Sequence, residues 1–210
     1  MRYLLMIDLK SVKKIIMIYY LLILGSTLLI NFMLGWVIIL FVVKIERDIC
    51  KENIIQNTIP LYRNLPKGNL YVDEKNVLYY LIIIGGIIIW SGTSFFCIIP
   101  EYPALDTKIR MIIGLGMIMM LVCNLYHASW MCVFLRTYNV VECMQQLNKY
   151  YIGIFVLGLI VTKNSYVYEK LKSLFLFEER TCFWLFIINI LLCGGTIIMS
   201  RRIYKKSELR

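Results

Sequence analysis

Charged residues cut the chain into apolar runs separated by short polar stretches. Ile15 to Val43 carries no charge over roughly thirty residues, where one membrane-spanning helix needs about twenty and two need about forty. The run therefore reads either as one long tilted helix or as two short ones breaking near Gly25–Ser26 or within Asn31 to Gly35. Val77 to Ile99 is a clear span closed by Pro100 and Pro103. Met111 to Leu135, bounded by Arg110 and Arg136, is another, and Phe183 to Ser200, stopped by Arg201 and Arg202, is the last. Tyr150 to Thr162 is shorter, with Val140 to Leu147 able to extend it.

The polar stretches have patterns of their own. In residues 1–14, Leu5, Leu9 and Val12 fall on one helical face with Met6 beside them, and Asp8, Lys10 and Ser11 fall roughly opposite. That is the pattern of a short helix lying in the membrane interface, or of a plain helical extension into the cytoplasm. Residues 44–76 form the longest polar stretch. Ile45, Ile49, Ile54 and Ile55 recur on one side, with Glu46, Arg47, Lys51 and Glu52 elsewhere, which predicts a short amphipathic helix. Pro60 and Pro66 then disfavour a continuous helix, and Pro66-Lys67-Gly68 reads as a turn.

Basic residues choose an orientation. The tail carries Arg201, Arg202, Lys205, Lys206 and Arg210, the 44–76 loop carries Lys44, Arg47, Lys51, Arg63, Lys67 and Lys75, and Lys10, Lys13 and Lys14 flank the first run. All three are expected on the cytoplasmic side. A single helix over Ile15 to Val43 would put its two ends on opposite sides, whereas a tight hairpin keeps both basic flanks inside. The charge pattern thus favours six spans over five, with both termini cytoplasmic. The expected architecture is all-α: one polytopic membrane helix bundle over 1–210, with an N-terminal interfacial helix. The segment from Asn164 to Arg180 fits less comfortably outside, since it holds Lys170, Lys172 and Arg180.

Composition agrees with a lipid setting. The 210-residue chain is 60% hydrophobic and 17% charged, with a mean hydropathy of +0.72, against about half and a quarter in soluble domains. The net charge of +10 reflects basic residues at the ends of apolar runs, facing anionic headgroups, and no basic, aromatic-interleaved stretch points to nucleic acid. Seven cysteines show no paired spacing, which argues against a disulfide framework. With His127 the one histidine, no metal-ligating Cys/His cluster is expected. Acid and base precede the first apolar run, so the first segment is not expected to be a cleaved signal.

Few side chains suggest chemistry. His127 lies within a span, where an ionisable group defaults to function, yet no acid stands within a helical turn. Packing, or a hydrogen bond to Asn124 or a neighbouring helix, is its expected role. Asn31, Asn124 and Asn189 suit interhelical hydrogen bonds, with lining of a transport path as the sharper alternative. Gly85–Gly86, Gly114 with Gly116, and Gly194–Gly195 allow close helix approach. Met111, Met117, Met119, Met120 and Met131 read as packing or lipid-facing residues. Tyr19–Tyr20, Tyr79–Tyr80, Trp90, Trp130, Tyr150–Tyr151 and Trp184 read as an aromatic belt. No nucleophile and base can be set at one depth beyond a pairing of His127 with Ser129 or Cys123, so no enzyme activity is expected.

The opening YLLMIDLKSVKKIIMIYYLLI resembles that of small permease subunits of type-2 ABC exporters, which start with an interfacial helix carrying a Lys/Asp pair and then step through basic residues into the first span. Their first cytoplasmic loop often holds an acid-rich helix followed by Leu-Pro-x-x-Arg. Here Glu46 to Asn53 is followed by Thr58-Ile59-Pro60-Leu61-Tyr62-Arg63. The likeness covers the whole length loosely, and it departs in the cramped first pair of spans and the long stretch from Asn64 to Asn76. It implies a permease in the cell membrane, acting as a homodimer or with a sister permease and powered by a separate ATPase. The chain itself lacks a GxxxxGK[ST] phosphate loop, so ATP would bind the partner and no cofactor is expected here. The coupling helix would fall at about Asp48 to Thr58. Ile49, Ile54 and Ile55 would supply apolar contact, Lys51 and Glu52 with Arg47 the polar rim, and Pro60 and Arg63 the loop motif. The competing reading is a non-transporting polytopic membrane protein, such as an immunity or sensing factor.

Overall fold

A computed structural model describes residues 2–29, 35, 38, 39, 42, 45, 48, 69–98, 105–137, 139, 141–148 and 179–208. Its elements are α1 (Arg2–Leu29), α2 (Leu70–Ile98), α3 (Leu105–Thr137), α4 (141–148) and α5 (Glu179–Glu208). The isolated residues 35, 38, 39, 42, 45 and 48 are helical as well, and no strand occurs among the described residues. Within α2, α3 and α5, the stretches Tyr71–Phe96, Lys108–Thr137 and Arg180–Lys206 are long and apolar enough to cross a membrane.

The helices outrun their apolar cores. The 29 residues of α2 extend about 44 Å at 1.5 Å per residue, against a hydrocarbon core of about 30 Å. The excess lies mostly at its start: α2 begins at Leu70, seven residues inside the stretch expected as loop, taking in Asp73, Glu74, Lys75 and Asn76. Charge does not stop a helix where its flank leaves the hydrocarbon and finds a packing partner. Here Tyr71 and Val72 are buried and stand in one cluster with Trp130, Phe134 and Tyr204. α1 is likewise uninterrupted, so the expected interfacial segment runs straight into the first apolar run. The side chains of Leu5, Met6, Asp8, Leu9, Ser11 and Val12, which carried that expectation, lie outside the described residues.

Specific contacts fix the helix directions. Tyr20 Oη donates to the Ile82 carbonyl at 3.1 Å and abuts Gly85, while Tyr19 and Ile23 meet Gly86. Gly35 touches both Thr27 and Trp90. Positions 20, 23 and 27 of α1 thus step forward with positions 82, 86 and 90 of α2, and the two helices run parallel. Gly35 and Ile39 are placed in the opposite order along α1, since Gly35 lies by Thr27 and the Ile39 carbonyl accepts from Tyr19 Oη at 3.0 Å. α3 is antiparallel to α2: Asn76 pairs with His127, Tyr79 with the Cys123 carbonyl, and Ile87 with Gly116. α5 also opposes α2, through Asp73 with Arg201 and Asn76 with Ser200, and so lies parallel to α3. Leu29 and Leu70 therefore sit at opposite ends of the bundle, as do Thr137 and Glu179.

Two apolar cores result. The larger joins α1, α2 and α3 with Ile39, Val42 and Ile45 around Tyr19, Ile23, Ile83, Trp90 and Met119. The second is aromatic and lies where α2 starts and α3 and α5 end, around Tyr71, Trp130, Phe134 and Tyr204. Trp130 stacks on Phe134 at 5.9 Å and on Tyr126 at 6.3 Å. α4 folds back onto this cluster with Cys143 and Leu147. Asn139 caps it: its Oδ1 accepts from the Val141 and Glu142 amides at 3.0 and 3.3 Å, and Glu142 adds negative charge to the first turn.

These cores correct the aromatic-belt expectation. Tyr19, Tyr79, Trp90 and Trp130 are buried inside the bundle, whereas Trp184, 54% exposed, faces outward. Distance from a span end says nothing about which face a ring occupies, and only helix packing decides that. The glycine pairs also divide. Gly85 and Gly86 receive α1 closely, whereas an added Cβ at Gly194 or Gly195 would meet nothing within 4 Å. Among the described residues Cys123, Cys132, Cys143, Cys182 and Cys193 form no disulfide.

Candidate functional site

Where α2 enters the bundle, its polar residues meet α3 and α5 in a buried seam. Asn76 is the centre. One helical turn after Val72, its Nδ2 donates to the Val72 carbonyl at 2.8 Å and to Ser200 Oγ of α5 at 3.2 Å. The Val72 carbonyl, which can only accept, requires the amide nitrogen, and this leaves Oδ1 facing His127 Nε2 of α3 at 2.8 Å. An acceptor there makes Nε2 the protonated nitrogen, so the network selects one tautomer of the ring. Ser200 Oγ in turn donates a hydrogen bond to the Ile197 carbonyl at 3.1 Å. Asn76, His127 and Ser200 are all essentially inaccessible. One amide therefore ties together three helices in a setting where an unmade hydrogen bond is costly.

Aromatic residues of α2 hold the imidazole. The Tyr79 ring lies parallel to it, with centroids 3.9 Å apart and planes 6° from parallel, and Tyr80 meets it edge-on at 5.5 Å. Tyr79 Oη donates to the Cys123 carbonyl at 2.7 Å, one turn before His127 on α3. Ring and hydroxyl thus contact successive turns of the same helix and fix its register against α2.

A second polar tie lies deeper. Asn124 Nδ2 donates to Asn189 Oδ1 at 2.9 Å, and Asn189 Nδ2 donates to the Met117 carbonyl at 3.1 Å and the Leu185 carbonyl at 2.9 Å. This is the interhelical bonding expected for both asparagines. Nearer the start of α2, Arg201 closes on Asp73 through two bonds, Nε to Oδ1 at 2.6 Å and Nη2 to Oδ2 at 3.0 Å. The parallel fork geometry makes it the strong form of carboxylate pairing. Glu74 and Lys75 beside it are also buried, with the Lys75 ammonium 5.2 Å from the Tyr71 ring centre.

The sequence-level candidates fare unevenly. Asp48, the first residue of the expected coupling helix, is helical and half-buried. Ile49, Lys51, Glu52, Ile54, Ile55, Thr58, Pro60 and Arg63 lie outside the described residues, as does Asn31. His127 does bond to a neighbouring helix, but to Asn76 and not to Asn124. Ser129, which like Cys123 is a conceivable though not expected nucleophile beside His127, is exposed and donates to the Leu125 carbonyl at 2.8 Å. The sequence reading missed Asn76 and Ser200, because both sit where an apolar run gives way to charge. The available signal was a lone asparagine one helical turn before Tyr79–Tyr80. Comparison with known proteins adds no further assignment: no family model, curated protein or solved structure matches the chain.

Proposed function

We propose that this chain is a six-span membrane subunit of an ABC-type exporter, working as a permease whose basic end receives a separate cytoplasmic ATPase. The observation that carries the reading is the seam at the head of α2. A partner docked on the chain before Asn69 would push on α2 at its start. Asp73 and Asn76 would pass that displacement to α5 through Arg201 and Ser200, and to α3 through His127. A point of force entry bonded to two further helices is what a coupled transporter needs at its cytoplasmic face.

Helix directions support the span count. α1 and α2 point one way and α3 and α5 the other, with Leu29 and Leu70, and Thr137 and Glu179, at opposite ends. That order suits a return span near residues 35–48 and another at Tyr150 to Thr162. Lys10, Lys13, Lys14, Arg136, Arg201, Arg202, Lys205 and Lys206 lie at the end where α2 starts, which favours that end as the cytoplasmic one.

The test is co-purification of the tagged full chain from its native host, followed by assay of the associated ATPase in lipid. Hydrolysis is expected to accompany the chain and to lose its dependence on the permease when Glu46 to Thr58 is scrambled. An ATPase that ignores the scramble, or a chain that functions with no ATPase, overturns the proposal and favours the non-transporting reading.

A further inference from the structure

The inner face of α1 packs on α2 and on Ile39, Val42 and Ile45 through Ile16, Tyr19, Tyr20 and Ile23. The opposite face carries a different pattern. Lys10, Lys13 and Lys14 are exposed and lie within one helical turn of one another. At the helical spacing of three and four residues, the same face continues into Met17, Leu21 and Leu28, which are 54%, 57% and 50% exposed. Gly25 sits between the last two with nothing within 4 Å of an added Cβ, leaving a shallow recess in the stripe. From Lys14 to Leu28 the face rises about 21 Å, more than half the thickness of a bilayer's hydrocarbon core of about 30 Å.

We propose that this face of α1 is a binding site for an anionic phospholipid, its headgroup held by Lys10, Lys13 and Lys14 and its acyl chains laid along Met17 to Leu28. Charge complementarity selects the occupant. A zwitterionic headgroup offers no net charge to three clustered ammonium groups, and a soluble anion has no use for the apolar stripe beneath them. A lipid with a net negative headgroup satisfies both parts at once, and lysines near such a surface each contribute favourably to association. The inference rests on the membrane reading of the helices and not on the exporter assignment.

The test uses the full chain reconstituted in phosphatidylcholine vesicles with a trace of nitroxide-labelled phosphatidylglycerol or nitroxide-labelled phosphatidylcholine. The motionally restricted spin-label signal reports lipid held at the protein surface. The wild-type chain is expected to prefer phosphatidylglycerol several-fold, with the preference weakened by salt, and Lys10→Gln/Lys13→Gln/Lys14→Gln is expected to bring it to about one. The corresponding triple Arg variant is expected to keep it, as is Arg202→Gln/Lys205→Gln/Lys206→Gln in the tail. Equal association of the two lipids with the wild-type chain overturns the proposal. So does a preference that survives the α1 Gln variant or disappears with the tail variant. Should the triple Gln variant fail to insert, Lys13→Gln and Lys14→Gln singly carry the same test: each is expected to lower the preference, and no change in either overturns the site. The vesicles contain no ATPase, so failure here and failure of ATPase docking are separate results.

Discussion

At the residue scale, Asn76 is the one amide among the described residues whose hydrogen bonds reach two other helices, α5 through Ser200 and α3 through His127. Replacing it with Leu removes the bond to Ser200 and the Asn76 Oδ1 that faces His127 Nε2. Asn76→Leu is expected to destabilise the protein by about 1–3 kcal/mol, the cost of stranding a buried polar group, read as a lower thermal midpoint in detergent. His127→Leu strands Oδ1 of the same amide and is expected to lower the midpoint similarly, while the double variant should cost less than the sum of the two. A strictly additive double variant would show that the Asn76–His127 bond contributes nothing. This residue was legible as polar in the sequence but not as central, since its partners at positions 127 and 200 are remote in the chain.

At the scale of elements, the two glycine pairs separate packing from mere occurrence. Gly86→Leu would place its side chain against Tyr19 Oη, 2.9 Å from the added Cβ, and Ile23 Cδ1 at 3.3 Å. Displacing Tyr19 also breaks its bond to the Ile39 carbonyl. A loss of about 1–3 kcal/mol is expected from overpacking there. Gly194→Ala meets open space and should be neutral or stabilising by up to about 1 kcal/mol through helix propensity. Thermal midpoints of the two variants, measured side by side, check the contrast, and equal effects would contradict the packing described. The Asp73–Arg201 pair joins α2 to α5 at a partly exposed position, with side-chain exposures of 24% and 47%. A double-mutant cycle with Asp73→Asn and Arg201→Gln is expected to give a coupling of about 0.2–1 kcal/mol, shrinking as salt is raised.

At the scale of the whole molecule, the directions of the helices make a topological prediction. Lys14→Cys in α1 and Lys205→Cys in α5 lie at one end of the bundle, and Asp106→Cys at the start of α3 lies at the other. In intact cells a membrane-impermeant maleimide is expected to modify Asp106→Cys and to leave the other two unmodified until the membrane is opened, with the wild-type chain as the baseline for its own thiols. Labelling of Lys14→Cys and Lys205→Cys on opposite sides would contradict the parallel arrangement of α1 and α2. Labelling of both from outside would keep the fold and reverse the orientation, and the docking surface proposed for an ATPase would then face the wrong compartment.

The sequence by itself determined that the chain is helical and suited to lipid, where its apolar runs lie, and that polar residues such as Asn124 and Asn189 within those runs would seek partners on other helices. These follow from local quantities: run length, charge placement and the need of every backbone group for a hydrogen bond in hydrocarbon. Tertiary structure alone decided how far each helix continues beyond its apolar core, and which partners the polar residues find. It also decided which aromatic residues are buried and which glycines receive a neighbour. Leu70 to Asn76 reads as loop from its charges, yet it is helical because Tyr71 and Val72 have an aromatic cluster to pack against and Asp73 and Asn76 have α5 to bond. Such choices depend on contacts between residues from 44 to 128 positions apart, which no local pattern encodes.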